Sequence, residues 1–328
     1  MKKIILGIIL SISFVLMVGC SSVQENKTNE TETSSLVGET NEIETSYQEN
    51  STTKPPYLLN TIKVFDSNDV IISSEKYVYD DKGNILKQTI YDADNHAKEW
   101  YAYSYDDNSN IIKEESFYLN EDGTSEIKCY ESEYNEKNQK TYETFSIDGS
   151  ILGKTKFDLY DSNGNIIKKS SLNPLVESST EIISWTIYDY DIDGLCIKET
   201  HYNKTGEVSS ETINSKTDMG YSSTYIDYND DGSINRKTEN TYNSNEDLVD
   251  YVFSDENGNV LNEYHCKYEY NNNNQITFEE IVISIAGDVS TSTSHYEYDD
   301  NGNLIKLNTY DTDGQLINYK IFDYIQIN

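Results

Sequence analysis

Positive charge is scarce in this chain of 328 residues: 25 Lys and Arg stand against 58 Asp and Glu, giving a formal net charge of -33 and a pI of about 4.3. Phosphate recognition depends on clustered Lys and Arg, so this balance excludes nucleic acid and anionic lipid headgroups as partners. Cysteine and histidine are equally sparse. Of the four cysteines, Cys129, Cys196 and Cys266 follow Cys20 without a CxxC pair, and His96, His201, His265 and His295 lie too far apart for zinc-ligand spacing. Hydrophobic residues make up only 36%, yet aromatics reach 12% and tyrosines number 29. That aromatic content is too high for a wholly disordered chain and makes tyrosine the main packing residue of a folded region.

The N-terminus carries an address. Lys2 and Lys3 precede an apolar run from Ile4 to Val18, which closes on Met17-Val18-Gly19-Cys20. The run is too short for a spanning helix and has the length of a signal-peptide core. The segment resembles the lipobox of bacterial lipoproteins, which implies lipidation of Cys20, with residues 1–19 removed. Residues 20–56 are rich in Ser, Thr, Glu and Asn and end in Lys54-Pro55-Pro56. They cannot bury enough apolar surface to offset chain entropy, so they are expected to form a flexible tether of roughly 30–36 Å mean reach.

Residues 57–328 repeat themselves. Tyr298-Asp-Asp-Asn-Gly302-Asn-Leu304 returns as Tyr310-Asp-Thr-Asp-Gly314-Gln-Leu316, and the pattern recurs along the chain: an aromatic or large apolar residue, Gly or Asn at +4, and an aliphatic at +6. The period is about thirteen. Of 13 glycines after Pro56, 11 occupy the +4 slot, among them Gly83, Gly164, Gly194, Gly232, Gly302 and Gly314. The slot suits a three-residue hairpin loop, a type I turn closed by a left-handed residue, with Asn95, Asn138 and Asn274 as substitutes and Ser109 and Glu246 marking weaker or different turns. A second aliphatic often follows the first, as at Leu86, Ile112, Ile167, Leu261, Ile305 and Ile317, so both faces are partly apolar near the turns. The stretch around Pro174 breaks the spacing, as a longer loop or as a seam between two halves.

Seven to nine residues rich in Tyr, Ile, Thr and Lys separate the turns, and no helical period is sustained. The expected fold is all-β: an antiparallel meander of about twenty short strands forming a twisted, curling sheet or partial shell, with free edges at its two ends. The phrases YVYDDKGNILKQTIYDAD, YEYDDNGNLIKLNTYDTDG and FDLYDSNGNIIKK resemble the Rhs or YD-repeat family over roughly residues 60 to 326. That resemblance implies a continuous curling β-sheet and a carbohydrate-binding or surface-associated protein. The Arg that the family carries after Gly is replaced here, and no effector domain is expected to follow.

Two stretches, Asp189-Tyr-Asp191-Ile-Asp193-Gly194 and Asp227-Tyr-Asn229-Asp-Asp231-Gly232, match the first half of an EF-hand loop. The Glu expected at position 12 is replaced by Thr200 and Thr238, so Asp/Asn turn chemistry competes with calcium binding, and no other cofactor is indicated. No catalytic constellation emerges. The expectation is therefore a non-catalytic, lipid-anchored protein of the bacterial cell surface, attached to the membrane through its anchor and binding a glycan or protein. The alternatives are a structural spacer or protective immunity lipoprotein and, third, an extracytoplasmic hydrolase.

Overall fold

The computed structural model describes residues 57–120, 122–175 and 180–326. The signal segment, Cys20 and the tether lie outside them. Twenty strands follow one another: β1 Tyr57–Asp66, β2 Ile71–Tyr79, β3 Ile85–Asp92, β4 Ala97–Tyr105, β5 Ile111–Leu119, β6 Ser125–Tyr134, β7 Lys140–Ile147, β8 Ser150–Tyr160, β9 Ile166–Leu172 and β10 Ile182–Tyr190. They continue as β11 Cys196–Asn203, β12 Val208–Thr217, β13 Gly220–Tyr228, β14 Ile234–Asn243, β15 Leu248–Asp255, β16 Val260–Tyr270, β17 Ile276–Ile285, β18 Asp288–Tyr298, β19 Leu304–Tyr310 and β20 Leu316–Gln326. Each pairs antiparallel with its sequence neighbours, and β1 also pairs with β20, Ile62 opposing Phe322 and Val64 opposing Lys320.

That last pairing corrects the expectation of an open sheet or partial shell. The sheet is a closed barrel of twenty strands without a free edge. The cause lies in the hairpins. Most carry a β-bulge where the turn ends, so that Tyr298 is opposed by Leu304 while Glu297 is opposed by Lys306, leaving Ile305 as the extra residue. The same shift falls at Val78/Tyr79, Ser104/Tyr105 and Thr309/Tyr310. A bulge bends its strand and raises the local twist, and one in hairpin after hairpin turns a wide meander into a cylinder. The doubled aliphatics are the sequence trace of these bulges. Following opposed residues around the wall from Ile62 returns to β1 displaced by about twenty residues, a tilt of roughly 35° and, for a round section, a diameter of roughly 35–40 Å.

The turns match their expected chemistry closely. In Asp299–Asn303, Asp299 N–H donates to the Asn303 carbonyl, Gly302 N–H donates to the Asp299 carbonyl, and Gly302 sits at φ 84°. The Asp299 carboxylate accepts from the amides of Asn301 and Asn303 and from the Asn303 side chain. Ser109 and Glu246, expected to mark weaker or different turns, adopt the same left-handed conformation at φ 65° and 69°, so the turn type is unchanged there. Asp148-Gly149 and Ala286-Gly287 depart the other way, forming two-residue turns with both residues at positive φ. Around Pro174, β9 and β10 still pair, so the irregular stretch is a longer hairpin connection and not a seam.

A candidate binding surface inside the barrel

Directly opposed residues share a face of the sheet. On one face Ile62, Glu75, Ile90, Glu99 and Tyr118 oppose one another in succession across β1 to β5. Charges two strands apart act on each other there, Tyr77 with Tyr103 and Glu114 with Glu143, and burial raises the pKa values of Tyr77, Tyr103 and Glu114. Converging, desolvated side chains identify the concave, lumenal face. Most of the strand tyrosines belong to it; Tyr91, Tyr142, Tyr202, Tyr228, Tyr310 and Tyr319 face outward.

The lumenal tyrosines fall into two groups. At the barrel end that holds the β2–β3 turn they close hairpins: Tyr79, Tyr105, Tyr160, Tyr298 and Tyr324 donate to the carbonyls of Leu59, Ile85, Lys140, Ile276 and Leu304 at 2.6–2.9 Å. Farther along the wall, tyrosines alternate with carboxylates. Tyr77 donates to Glu75 Oε2 at 2.8 Å, and Gln88 Nε2 donates to the same oxygen at 2.9 Å. Tyr101 and Tyr118 meet edge to face with hydroxyls 3.0 Å apart, and Lys128 lies over the Tyr118 ring at 5.1 Å. Farther round the wall Tyr296 donates to Glu279 at 2.9 Å, where burial holds the Glu279 carboxyl above its usual range and lifts the Cys266 thiol to about 11. Rings with fixed hydroxyls beside carboxylates and amides can stack on sugar faces and hydrogen-bond their hydroxyls.

The outer face is built for water. It carries ion pairs in mid-strand, Lys113–Glu115 at 3.0 Å, Lys198–Glu211 at 2.6 Å and Lys267–Glu280 at 2.7 Å. A lipid-facing barrel presents an apolar band there, where each charge would cost roughly 2–4 kcal/mol.

One lumenal trio has the order of a nucleophilic triad. Thr186 Oγ1 lies 2.8 Å from His201 Nδ1, and His201 Nε2 lies 3.3 Å from Glu199 Oε1. Burial raises the Glu199 carboxyl, but the His201 hydrogen bond and the Lys169 charge hold it below its usual value. Thr186 is only 2% exposed in the middle of a strand, so an acyl group cannot reach its hydroxyl. The trio reads as a cross-strand polar lock.

The calcium candidates do not converge. Asp191 Oδ1 caps its own turn, accepting from Asp193 N and Leu195 N, and Lys216 Nζ sits 3.3 Å from Asp191 and 2.6 Å from Asp193, where a shared cation would lie. Asp189 faces Lys198 across the sheet. Asp227 pairs with Arg236 at 3.0 Å, Asn229 donates to Ser233 Oγ, and Asp231 accepts from Ser233. Among the described residues no group of three or more His, Cys, Asp or Glu could hold a metal ion. Gly83, Gly164, Gly194, Gly232, Gly302 and Gly314 all occupy left-handed turn positions.

No protein-family model matches the chain, and no curated protein matches it. Among solved structures, a porin-like protein from Bacteroides uniformis is similar at 9% identity and a TM-score of 0.38, over 81% of this chain and 96% of the other. A porin-like protein from Bacteroides vulgatus is similar at 13% identity and a TM-score of 0.30, over 80% and 97%. A TcdB2-TccC3-TEV structure is similar at 15% identity and a TM-score of 0.25, over 83% of this chain, which spans 17% of that one.

Acid stability follows from the two kinds of carboxylate. Hydrogen bonds from Asn84, Asn110, Asn259 and Asn303 hold Asp80, Asp106, Asp255 and Asp299 below the ordinary 3.8. Their stabilisation is present above pH 3.8 and is lost as pH falls through the lower folded values. Burial raises Glu114 and Glu279 above 4.5, so acidification through their folded pKa removes a penalty, and protonation also relieves the self-repulsion of -33 charges. Differential scanning calorimetry is expected to show Tm rising from pH 7 towards about 4.5 and falling below about 3.8. A monotonic fall from pH 7 would contradict it.

Proposed function

We propose that the protein is a non-catalytic, lipid-anchored binding protein of the bacterial cell surface, and that the lumenal wall around Tyr77, Tyr101, Tyr103 and Tyr118 engages a glycan. The observation that carries this reading is the segregation of tyrosines to the lumenal face, interleaved with Glu75, Glu99, Glu114 and Gln88. The Lys2-Lys3 segment, its apolar core and Cys20 support the address and the anchor. The doubled aliphatics and Tyr-Asp turns fit a YD-repeat-like chain.

A second reading, a structural spacer or protective protein, draws on the rim tyrosines, whose hydroxyls are used up on backbone carbonyls. A single experiment separates the two. The full chain is incubated with insoluble polysaccharides and purified cell walls, alongside a Tyr77→Ala/Tyr103→Ala variant. Saturable retention that drops about tenfold in the variant, with Tm lowered by only a few degrees, is the expected result. Retention on no material, or retention unchanged by the substitutions, moves the weight to the structural reading.

A further inference from the structure

We propose that the outer wall over β7 to β10 holds a second binding site, for a sugar bearing a carboxylate or phosphate. It lies apart from the lumen and does not depend on glycan binding there. Tyr142, Lys156, Ser170 and Trp185 oppose one another in a single row across the four strands, spanning roughly 14 Å. Beside this row is an open pocket of about 250 Å³, lined by Tyr142, Lys154, Lys156, Asp158, Leu172 and Ile182 among others.

Each end of the row is an aromatic platform with an ammonium on it. Lys154 Nζ lies 5.2 Å from the Tyr142 ring centre, and Lys168 Nζ lies 6.0 Å from that of Trp185, which stacks on Tyr202 at 5.3 Å and 12°. The floor is rigid. Ser170 is fully buried and donates to Asp158 Oδ2 at 2.5 Å, while Asp158 also anchors Lys156 at 2.9 Å. Among the described residues, Lys154, Lys156 and Lys168 outnumber the carboxylates of Asp158 in the pocket and Glu133 beside it, which leaves local positive charge on a chain of net charge -33. The half-buried rings leave part of their surface for a sugar, and among the described residues Lys154 and Lys168 form no ion pair with a carboxylate, leaving their ammonium groups to meet an anion. Glu133, opposite Tyr142 on β6, bounds the site on its acidic side.

The full chain is titrated calorimetrically with trigalacturonate, glucose 6-phosphate, a neutral galactose trisaccharide and inorganic phosphate. Saturable binding of at least one charged sugar is expected, several-fold weaker for its neutral counterpart and for phosphate alone, and weakening further with added salt. The Lys154→Gln/Lys168→Gln variant breaks no ion pair among the described residues and should keep its Tm while losing about tenfold in affinity. The Tyr77→Ala/Tyr103→Ala variant should bind the charged sugar as the parent does, which separates failure of this site from failure of the lumenal one. Equal binding of the neutral trisaccharide or of phosphate alone, no binding of either charged sugar, or undiminished affinity in the lysine variant would each overturn the proposal.

Discussion

Replacing Ile62 and Val64 together by Asp is expected to open the barrel. The two side chains are 8% and 5% exposed, among the most buried apolar groups, and both lie on β1, the strand that closes the ring against β20. Each substitution removes apolar burial worth about 1.5–3 kcal/mol and places a carboxylate among poorly solvated neighbours. Ile62 is directly opposed to Glu75, so one of the new charges meets a like charge. A combined loss of about 4 kcal/mol or more is expected, with a second consequence that a simple core mutation lacks. Unpairing β1 from β20 bares two strand edges, and bare edges recruit one another. Size-exclusion chromatography with light scattering should find oligomers, and the amides of β1 and β20 should lose hydrogen-exchange protection before those of β10. Lys63→Asp, on the exposed side of the same strand, should change stability by no more than about 0.5 kcal/mol. A monomeric double variant with the parent's Tm would mean that the seam is not what holds the ring.

Closure itself was hard to read from the chain, although its parts were visible. The +4 residue is a local requirement of one turn, so Gly302 and Asn274 disclose it without any knowledge of neighbours. Strand number follows from turn number. The doubled aliphatic at Leu304-Ile305 was visible too, but period-two alternation reads it as apolar character on both faces, whereas the register reveals an inserted bulge residue. Whether bulges accumulate to exactly one revolution depends on twenty registers at once, and no single repeat contains that information. The face of each tyrosine is hidden for the same reason. Tyr298 and Tyr310 share a parity in the sequence but lie on opposite faces, because the chain gains a residue between them. The lumenal wall and the Tyr142–Trp185 row are products of pairing across several strands, invisible to motif spacing. The acidic turns illustrate the converse. Their Asp spacing imitates a calcium loop because an Asx-capped turn and a cation both need oxygens at alternating positions, and Lys216, from another strand, fills the gap between Asp191 and Asp193.

Gly220→Ala should be the most damaging glycine substitution, far beyond those at the repeat turns. Gly314 at φ 72° has nothing within 4 Å of an added Cβ, so Gly314→Ala should cost only the left-handed backbone penalty of about 1–2 kcal/mol. Gly302→Ala adds a contact at 3.3 Å with the Gln275 amide, the far end of a side chain that can move. Gly220 differs in kind. It sits at φ 147°, and its Cβ would lie 2.1 Å from the Tyr242 carbonyl oxygen and 2.4 Å from that of Asn243. These are backbone atoms of β14, to which β13 is bonded from Gly220 to Tyr228, so relief requires the whole pairing to shift. A loss on the order of 4 kcal/mol or more is expected, read as a Tm drop by calorimetry and as broadened or displaced amide signals at Tyr221 and Tyr242. Gly220 is one of two glycines of the folded region outside the +4 slot, and its need arises from the neighbouring strand β14, not from its own turn. If Gly220→Ala cost no more than Gly314→Ala, the close approach of β13 to β14 would be wrong, and with it the tight Asp218-Met219 connection that leads from β12 into β13.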